Sequence, residues 1–393
     1  MKRLLIITEI IAPYRIPVFN ALSKNAEIDL HVIFLSETDP SLRHWRIYTD
    51  EIRFHYQVLP SLRLRMGTRS ILVNRGLKKA LAQFSPQTII CGGYNYLASW
   101  AAARWARRQG IPFLLWTEST SRDSRGGHVV TERMKQKFVN SCDGFVVPGR
   151  SSFEYLKQLH VPENLICTAP NAVDNDFFAR ASQHVKSEDA VYRASHNLPE
   201  RFILCVGRLV PEKGIFDLLT AYAELSPEVR SAVALVFAGN GSAENDLTAQ
   251  AAKIVQGRII VLGFCQREEL AALYGLAEVL VFPTHSDPWG LVVNEAMACG
   301  LPVVCSKVAG CAADLVQDGW NGRTVPPREV AQLSAAVESL LRDNDVRSSM
   351  SAKSLERIRM FSPEHCAQGL ATAALAVTAR GFAMQSNNRN HLA

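Results

Sequence analysis

The feature of this sequence that most constrains its fold is the alternation of short apolar runs with longer amphipathic stretches. The apolar runs are rich in Val, Ile and Leu, and helical periodicity follows most of them. Continuous apolar strands separated by helices are typical of parallel sheets that are covered by helices on both faces. The sequence therefore predicts an α/β fold.

The same pattern occurs in both halves of the chain. In the first half we predict the strands Arg3–Thr8, Ile28–Phe34, Thr88–Cys91, Pro112–Trp116, Gly144–Val147 and Leu165–Thr168, with helices at Ser70–Gln83, Tyr96–Arg108 and Val129–Asn140. In the second half we predict the strands Phe202–Val206, Ala232–Ala238, Arg258–Leu262, Val279–Phe282 and Pro302–Cys305, with helices at Gly214–Leu225, Ala243–Val255, Arg267–Tyr274 and Leu291–Cys299.

Five or six such units in each half predict two doubly wound domains. We place an N-terminal domain at 1–180, a C-terminal domain at 201–365, and a C-terminal helix with a frayed tail at 366–393. The linker is predicted at 181–200, inside the polar stretch Phe178–Glu200, which has no strong period.

Composition and termini favour a cytoplasmic protein. No run of about 18 apolar residues is present, so a membrane-spanning helix is not expected. The apolar N-terminus is interrupted by Glu9 and lacks a small-residue cleavage site, so we expect the mature chain to start at Met1. The nine cysteines form no C-x-x-C pair and are interpreted as reduced, buried thiols.

The N-terminal half is basic. Residues 1–180 contain 24 Lys and Arg but only 15 Asp and Glu, which favours an anionic partner. The segment Ser61–Lys79 interleaves basic residues with Leu, Ile and Val, and we expect it to bind an anionic membrane surface. The alternative is a solvated basic helix face. No signature of a nucleic-acid-binding module is present, so no nucleic acid is expected.

The loop after the strand Phe202–Val206 holds the first candidate site. It reads GRLVPEKG, from Gly207 to Gly214, and it opens a helix. Gly207 permits a tight turn. Arg208 and Lys213 place two cations beside a helix N-terminus, which suits a diphosphate. These residues alone fit a solvated basic turn equally well.

The loop after Val279–Phe282 holds the second candidate site. It reads PTHSDPWG, and a helix is predicted to start near Leu291, directly after Gly290. The unpaired N–H groups of that helix form an anion site. Asp287 and Glu295 stand eight positions apart around it, and carboxylate oxygens bind sugar hydroxyls well. Taken singly, each is also explained as a turn former or a first-turn acid.

Together the two loops resemble glycosyltransferase family 4, the retaining nucleotide-sugar enzymes with the GT-B fold. The family motif is an acidic residue, seven intervening residues and a Glu, followed by A-M-A-x-G-x-P-V. Here it runs from Asp287 to Glu295 and continues as AMACGLPVV. The resemblance implies two Rossmann-like domains with the active site in the cleft between them.

The resemblance also implies roles for individual residues. Arg208 and Lys213 are expected to bind the donor diphosphate, Glu295 the ribose, and Asp287 the transferred sugar. Backbone amides near Gly290 and Leu291 are expected to reach the distal phosphate. Further donor contacts are expected at Gly207, at the glycine-rich turn of Gly239, at Phe264 beside the base, and at His285 in the acidic loop. A lone histidine is otherwise a satisfied surface or core residue.

The chain departs from the family pattern at three positions. Asp287 stands where the family usually has Glu, which makes sugar specificity by analogy unsafe. The loop after the first strand has Arg15 and no glycine pair, and Glu118 stands where a histidine is expected. We interpret Arg15 and Glu118 as acceptor-side residues, with a surface Arg and a capping Glu as the alternative, and add His128 to that side.

These expectations amount to sugar transfer, with retention, from a UDP- or GDP-sugar to a saccharide or lipid-linked acceptor in surface polysaccharide or glycolipid synthesis. No metal or cofactor is expected, because Arg208 and Lys213 supply the positive charge. We expect a cytoplasmic protein, peripheral on the inner face of the membrane. The alternatives are a sugar-nucleotide epimerase, a phosphorylase, a saccharide-binding module, and a nicotinamide dehydrogenase, which would need a third glycine where Glu244 stands.

Overall fold

The computed structural model describes residues 1–39, 44–66, 69–122 and 129–389. The chain divides into two compact units. Unit 1 contains Met1–Ser119, Ser124–Asn171 and Pro363–Ala393, and unit 2 contains Thr120–Asp123 and Ala172–Ser362. Each unit is built on a parallel sheet with helices, which confirms the predicted α/β class.

Unit 1 contains a seven-stranded parallel sheet and a separate two-stranded antiparallel hairpin. The strands of the sheet are β1 (Lys2–Thr8), β2 (Ile28–Phe34), β3 (His55–Val58), β6 (Thr88–Gly92), β7 (Phe113–Trp116), β8 (Gly144–Val147) and β9 (Ile166–Thr168). The hairpin consists of β4 (Ser61–Met66) and β5 (Arg69–Asn74). The order in the sheet is β3-β2-β1-β6-β7-β8-β9.

The helices of unit 1 cover this sheet. They are α1 (Ile16–Ser23), α2 (Leu77–Phe84), α3 (Leu97–Gln109), α4 (Val129–Val139), α5 (Arg150–Gln158) and α16 (Pro363–Arg389). The central strands are buried on both faces, and Leu4, Leu5 and Ile6 have no exposed surface. Burial on both faces explains why these strands are uninterrupted apolar runs in the sequence.

Unit 2 contains a six-stranded parallel sheet of order β12-β11-β10-β13-β14-β15. Its strands are β10 (Phe202–Val206), β11 (Ala234–Ala238), β12 (Ile259–Val261), β13 (Val279–Phe282), β14 (Val303–Ser306) and β15 (Gly322–Val325). Its helices are α6 (Asn175–Ser187), α7 (Asp189–Ser195), α8 (Ile215–Ala223), α9 (Pro227–Ala232), α10 (Glu244–Ala251), α11 (Arg267–Leu276), α12 (Leu291–Ala298), α13 (Ala312–Leu315), α14 (Val330–Arg342) and α15 (Asn344–Ile358).

The strand order of unit 2 identifies where a ligand should bind. The first strand, β10, lies between β11 and β13, so the direction of winding reverses between β10 and β13. In open parallel sheets, ligands bind beyond the carboxyl ends of the strands at this switch point. The loops after β10 and β13 carry the two candidate sequences, GRLVPEKG and PTHSDPWG.

The helix predicted over Ser70–Gln83 is wrong in its first part. Residues up to Asn74 form strand β5, and the helix begins only at Leu77. The residues Ser61–Met66 alternate between polar and apolar side chains, and Ile71, Leu72 and Val73 have high strand propensity, which together favour a strand pair. Gly76, in the left-handed conformation at φ 82°, separates the hairpin from the helix.

The linker predicted at 181–200 is also not what the structure contains. The stretch Phe178–Glu200 lies mostly in α6 and α7, and the main segment of unit 2 begins at Ala172. Helix α6 is capped by Asp174, whose carboxylate accepts a hydrogen bond from the Phe177 N–H at 2.9 Å. Its buried face consists only of Phe178 and the small Ser182, which gives a weak periodic signal.

The C-terminal helix belongs to unit 1 rather than following unit 2 as a separate piece. It begins at Pro363, three residues before the predicted start, and it contacts α1, β8 and β9. Leu370 and Ala371 on its inner side are fully buried. The end of the predicted frayed tail, from residue 390, lies outside the described residues. No helix in the described ranges is both long and apolar enough to span a membrane.

Candidate functional site

The loops after the first three strands of unit 2 are fixed to one another by backbone hydrogen bonds. The Gly207 N–H donates to the Ala238 carbonyl at 3.0 Å, and the Gly239 N–H donates to the Gly263 carbonyl at 2.7 Å. A Cβ atom on Gly239 would lie 1.8 Å from the Gly207 carbonyl oxygen, so only glycine fits there. The predicted donor residues Gly207 and Gly239 therefore lie side by side at the carboxyl edge of the sheet.

The loop after β10 brings Lys213 to the loop after β13. Lys213 ends a short 3-10 turn, Pro211–Lys213. Its Nζ forms an ion pair with the Asp287 carboxylate and lies 3.4 Å from the Ser286 carbonyl oxygen. The two side chains are only 14% and 18% exposed, so solvent screens this pair weakly. Two predicted site residues, 74 positions apart in sequence, are thus in direct contact.

The Asp287 carboxylate has a second partner. Its Oδ1 accepts a hydrogen bond from the Trp289 N–H at 3.0 Å, while Oδ2 faces Lys213. Each carboxylate oxygen can accept two hydrogen bonds. Asp287 can therefore orient Lys213 and still accept a hydrogen bond from a sugar hydroxyl.

Arg208 lies in the same small depression as Lys213. Both residues line it together with Phe282 at the end of β13. Arg208 is exposed, and in the described ranges no carboxylate forms an ion pair with its guanidinium. A forked guanidinium with free donors beside a partly buried ammonium is suited to a diphosphate.

The loop after β13 is held against helix α8. The His285 N–H donates to the Glu212 carbonyl at 2.9 Å, and His285 Nε2 lies 2.7 Å from Asp217 Oδ2. The Gly310 N–H donates to the Asp287 carbonyl at 2.9 Å from the other side. The loop that carries Asp287 is therefore attached to both of its neighbours. The His285 ring is engaged with Asp217, and its contact with a donor stays a prediction.

Helix α12 starts at the predicted position. Gly290 precedes Leu291 with φ 98°, and a Cβ atom at Gly290 would lie 2.5 Å from the Phe282 ring. Glycine is required there both by the left-handed backbone and by the close approach of that ring. The buried Trp289 indole donates to Asn294 Oδ1 at 2.8 Å and fixes the first turn. The leading N–H groups of α12 have no partner within the helix and can bind an anion.

Glu295 lies in the second turn of α12 and contacts a tyrosine on the preceding helix. The Tyr274 hydroxyl of α11 donates to Glu295 Oε2 at 2.7 Å. Burial of the carboxyl raises the pKa of Glu295 to about 7, although the hydrogen bond from Tyr274 opposes the shift. Burial, together with the nearby Glu295 carboxylate, also raises the pKa of Tyr274. Such a carboxyl titrates near neutral pH, which is typical of functional sites.

The predicted site residues of the second half thus lie in one region of unit 2. Lys213 contacts Asp287, Arg208 lines the same depression as Lys213, and Glu295 follows in the helix that begins shortly after Asp287. Phe264 is in the loop after β12 and is 38% exposed. The individual roles in donor binding stay predictions.

In unit 1, two of the three acceptor-side residues lie together. An Arg15 guanidinium nitrogen lies 2.6 Å from Glu118 Oε1, and the guanidinium stacks 3.7 Å over the Trp116 ring. Arg15 follows β1 and Glu118 follows β7, so both stand at the carboxyl edge of the sheet. Their role toward an acceptor stays a prediction. His128 lies outside the described residues.

Sequence reasoning missed two residues of the site. Tyr274 supports Glu295 from another helix, and no local motif marks it. Asp217, the partner of His285, lies in the first turn of α8. From the sequence it is recognisable only as an acidic residue near a helix N-terminus, without any sign of its contact with His285. Among the described residues, no cluster of three His, Cys, Asp or Glu side chains can hold a metal ion. The expectation that no metal takes part stays a prediction.

Two family profiles match the chain. The profile described as "Glycosyl transferases group 1" matches residues 188–357, and that described as "Glycosyltransferase Family 4" matches residues 20–177. Between them they cover most of both units.

Curated relatives are similar over part of their length. O-antigen chain mannosyltransferase B of Escherichia coli is 30% identical over 218 residues, which is 55% of this chain and 56% of that protein. Alpha-D-kanosaminyltransferase of Streptomyces kanamyceticus is 33% identical over 177 residues, covering 43% of this chain and 45% of that protein. The matches to these two relatives thus span about half of their length.

Solved structures share the fold over almost the whole chain. Sucrose-phosphate synthase from Thermosynechococcus elongatus has a TM-score of 0.73 at 20% identity, covering 97% of this chain and all of that one. The Anabaena HepE protein in complex with UDP has a TM-score of 0.74 at 17% identity, covering 96% of this chain and all of that one. The fold is therefore GT-B, with two Rossmann-like domains, as the resemblance implied.

Proposed function

The chain belongs to glycosyltransferase family 4, the group 1 glycosyl transferases, and from that premise we propose that it transfers a sugar from a nucleotide diphosphate sugar to an acceptor hydroxyl, with retention. The observation that carries the proposal is the arrangement at the switch point of unit 2. There Arg208 and Lys213 line one depression, and Lys213 is held by Asp287 at the loop that leads into α12.

The cations and the helix N-terminus bind the diphosphate of the donor. When the bond between sugar and phosphate breaks, negative charge grows on the leaving phosphate and positive charge on the sugar ring. Arg208, Lys213 and the first N–H groups of α12 stabilise this growing charge. Because Asp287 keeps the Lys213 ammonium in place, little reorganisation is needed at the moment of reaction.

The two acids bind the sugars at either end of the diphosphate. Glu295 accepts hydrogen bonds from the ribose hydroxyls, and the Tyr274 hydroxyl orients the Glu295 carboxylate through its hydrogen bond to Oε2. Asp287 accepts a hydrogen bond from a hydroxyl of the transferred sugar with the lone pairs that Lys213 and Trp289 leave free. The leaving phosphate takes the proton of the acceptor hydroxyl, so no side chain has to act as a general base.

The donor is proposed to be a UDP- or GDP-sugar, and the acceptor a saccharide or lipid-linked saccharide in surface polysaccharide or glycolipid synthesis. The name of the E. coli relative supports this acceptor class. Arg15 and Glu118 are proposed to contact the acceptor through charged hydrogen bonds. We place the protein in the cytoplasm, at the inner face of the membrane.

The test begins with a thermal-shift screen of UDP- and GDP-sugars, because a ligand that binds the folded state raises the midpoint of unfolding. A radiolabelled form of the best donor is then incubated with glycolipid acceptors. We expect label in the acceptor, with the anomeric configuration of the donor, and the same rate when EDTA is added. Label recovered only in an isomeric nucleotide sugar would identify an epimerase, and binding without turnover would identify a saccharide-binding module.

A further inference from the structure

The hairpin of unit 1 shows apolar side chains to solvent. Leu62 is paired with Val73 and Leu64 with Ile71 across β4 and β5, so the four side chains share one face. They are 61%, 36%, 46% and 38% exposed, in that order. An exposed, contiguous set of aliphatic side chains on a hairpin marks an interaction surface. We call these four residues the apolar face.

The opposite side of the hairpin fixes this orientation. Arg63 is paired with Leu72 in the register, and Leu72 is 3% exposed within the core of unit 1. Arg63 is 17% exposed and forms ion pairs with Asp39 at 2.8 Å and Glu9 at 3.5 Å. Strand β4 therefore turns Arg63 inward and Leu62 and Leu64 outward, the reverse of the pattern expected for a solvated strand. A register slip that buried the leucines would leave Arg63 without these two partners.

The surroundings of the apolar face are basic. The sequence has no Asp or Glu between Glu51 and Glu118, while the residues in between include ten Lys and Arg. Helix α3 contacts both β5 and α2. The exposed cations of this region are Arg75, Lys78, Lys79, Arg104, Arg107 and Arg108.

An aliphatic face with a cationic surround fits an anionic lipid surface. Aliphatic side chains enter the boundary between headgroups and acyl chains, and each nearby Lys or Arg adds attraction to lipid phosphates. A second copy of this chain would bring the same cations against each other. Nucleic acid would offer nothing to cover the four aliphatic side chains.

We propose that hairpin β4–β5 docks the protein onto an anionic membrane, with Leu62, Leu64, Ile71 and Val73 entering the headgroup region and the neighbouring cations binding lipid phosphates. The surface is distinct from the donor site of unit 2. It rests on the membrane location proposed above and specifies which side chains of the segment Ser61–Lys79 achieve it. The alternative from sequence, a solvated basic helix face, does not describe the first part of the segment, because residues Ser61–Met66 and Arg69–Asn74 form a strand pair.

Vesicle flotation of the full chain tests the proposal without donor or acceptor, so its outcome is independent of the transfer assay. Vesicles contain phosphatidylcholine alone or with phosphatidylglycerol. We expect the wild type to float only with the anionic vesicles, and less at high salt. The variant L62T/L64T/I71T/V73T should lower the partition coefficient about tenfold or more, since it removes apolar surface that lipid would bury. Threonine keeps strand propensity and the hairpin.

The charge variant R75Q/K78Q/K79Q should lower the partition coefficient by on the order of a hundredfold, at about fivefold for each cation. Matched controls remove exposed groups from unit 2. V191T/V255T removes two aliphatic side chains that are 72% and 78% exposed, and K253Q/R359Q removes two exposed cations. Both controls should float as the wild type does. Circular dichroism and nucleotide binding confirm that each variant is folded.

Three results would overturn the proposal. A wild-type protein that stays at the bottom with anionic vesicles has no such membrane surface. If the four-threonine variant floats as well as the wild type, the aliphatic side chains do not insert. If light scattering instead shows a wild-type dimer that the four-threonine variant converts to a monomer, and vesicles bind neither form, the face is covered by a second copy.

Discussion

The Glu295 carboxyl allows a test in which stability and donor binding are expected to change in opposite directions. Burial raises its pKa from an ordinary value of 4.5 to about 7. A buried acid of this kind destabilises the folded protein when it is ionised. The ionised carboxylate, however, is the form that accepts hydrogen bonds from the ribose hydroxyls with both of its oxygens. Replacing Glu295 by glutamine keeps the shape and removes the charge.

The sign of the pH dependence follows from proton binding. The folded state binds the Glu295 proton more tightly than the unfolded chain, so between about pH 4.5 and 7 the folded state carries the additional proton. The free energy of unfolding therefore falls as the pH rises through this interval, and it stays low above it. The shift corresponds to about 3 kcal/mol at most. E295Q should remove this decrease and be up to about 3 kcal/mol more stable at pH 8.

Donor binding should change in the other direction. A hydrogen bond to a charged group contributes about 1.5–3 kcal/mol, so E295Q should bind UDP or GDP about ten- to a hundredfold more weakly at pH 8. Y274F removes the hydrogen bond that lowers the pKa of Glu295. The pH at which nucleotide binding is half maximal should then rise by about one to two pH values, while E295Q loses this titration altogether.

The assays are urea unfolding and isothermal titration, each over a series of pH values. E224Q replaces an exposed glutamate of the same unit and serves as the control, with neither property changed. An E295Q protein that is less stable than the wild type at pH 8, or that binds nucleotide with unchanged affinity, would show that this carboxyl does not play the proposed part.

Two further substitutions test the geometry around the diphosphate. D287N removes the charge that orients Lys213, so kcat/KM should fall about ten- to a hundredfold in the labelled-donor assay. The circular dichroism spectrum should be unchanged. Unchanged turnover would mean that Lys213 does not need Asp287 to orient it. G214A would place a Cβ atom 2.1 Å from the Pro283 carbonyl oxygen and should lower the free energy of unfolding by about 2–4 kcal/mol in urea. Gly319 has a φ of 75°, similar to that of Gly214, but a Cβ atom there would meet no such clash. G319A should therefore lower the free energy of unfolding by only about 1 kcal/mol. Equal losses for the two variants would contradict the close approach of Gly214 to Pro283.

The buried parallel strands were predictable because a strand that is covered by helices on both faces of its sheet is apolar along its whole length. Phe202–Val206 and Val279–Phe282 were predicted with the bounds that the structure has. The strands β3 and β15 were missed. His55–Val58 is mostly exposed and Gly322–Val325 is half polar, and both lie at sheet edges, where the apolar signal is weak.

The candidate site was predictable where its residues stand in local motifs. Arg208, Lys213 and Asp287 stand in segments that follow strands, and Glu295 stands in the helix after the second of these segments. The order of the strands brings the two segments together. The partners were not predictable. Tyr274 reaches Glu295 from another helix, and that contact depends on packing that no local pattern encodes.

The central claim is that the cations after β10 bind the diphosphate of a nucleotide, and calorimetric titration of R208A and K213A with a nucleoside diphosphate and the corresponding monophosphate tests it most directly. The wild type should prefer the diphosphate, and each variant should lose most of this preference, with turnover reduced on the order of 100- to 1000-fold. K253A, which removes an exposed lysine elsewhere in unit 2, should keep it. If R208A and K213A discriminate between the two nucleotides as the wild type does, the diphosphate does not bind at these residues.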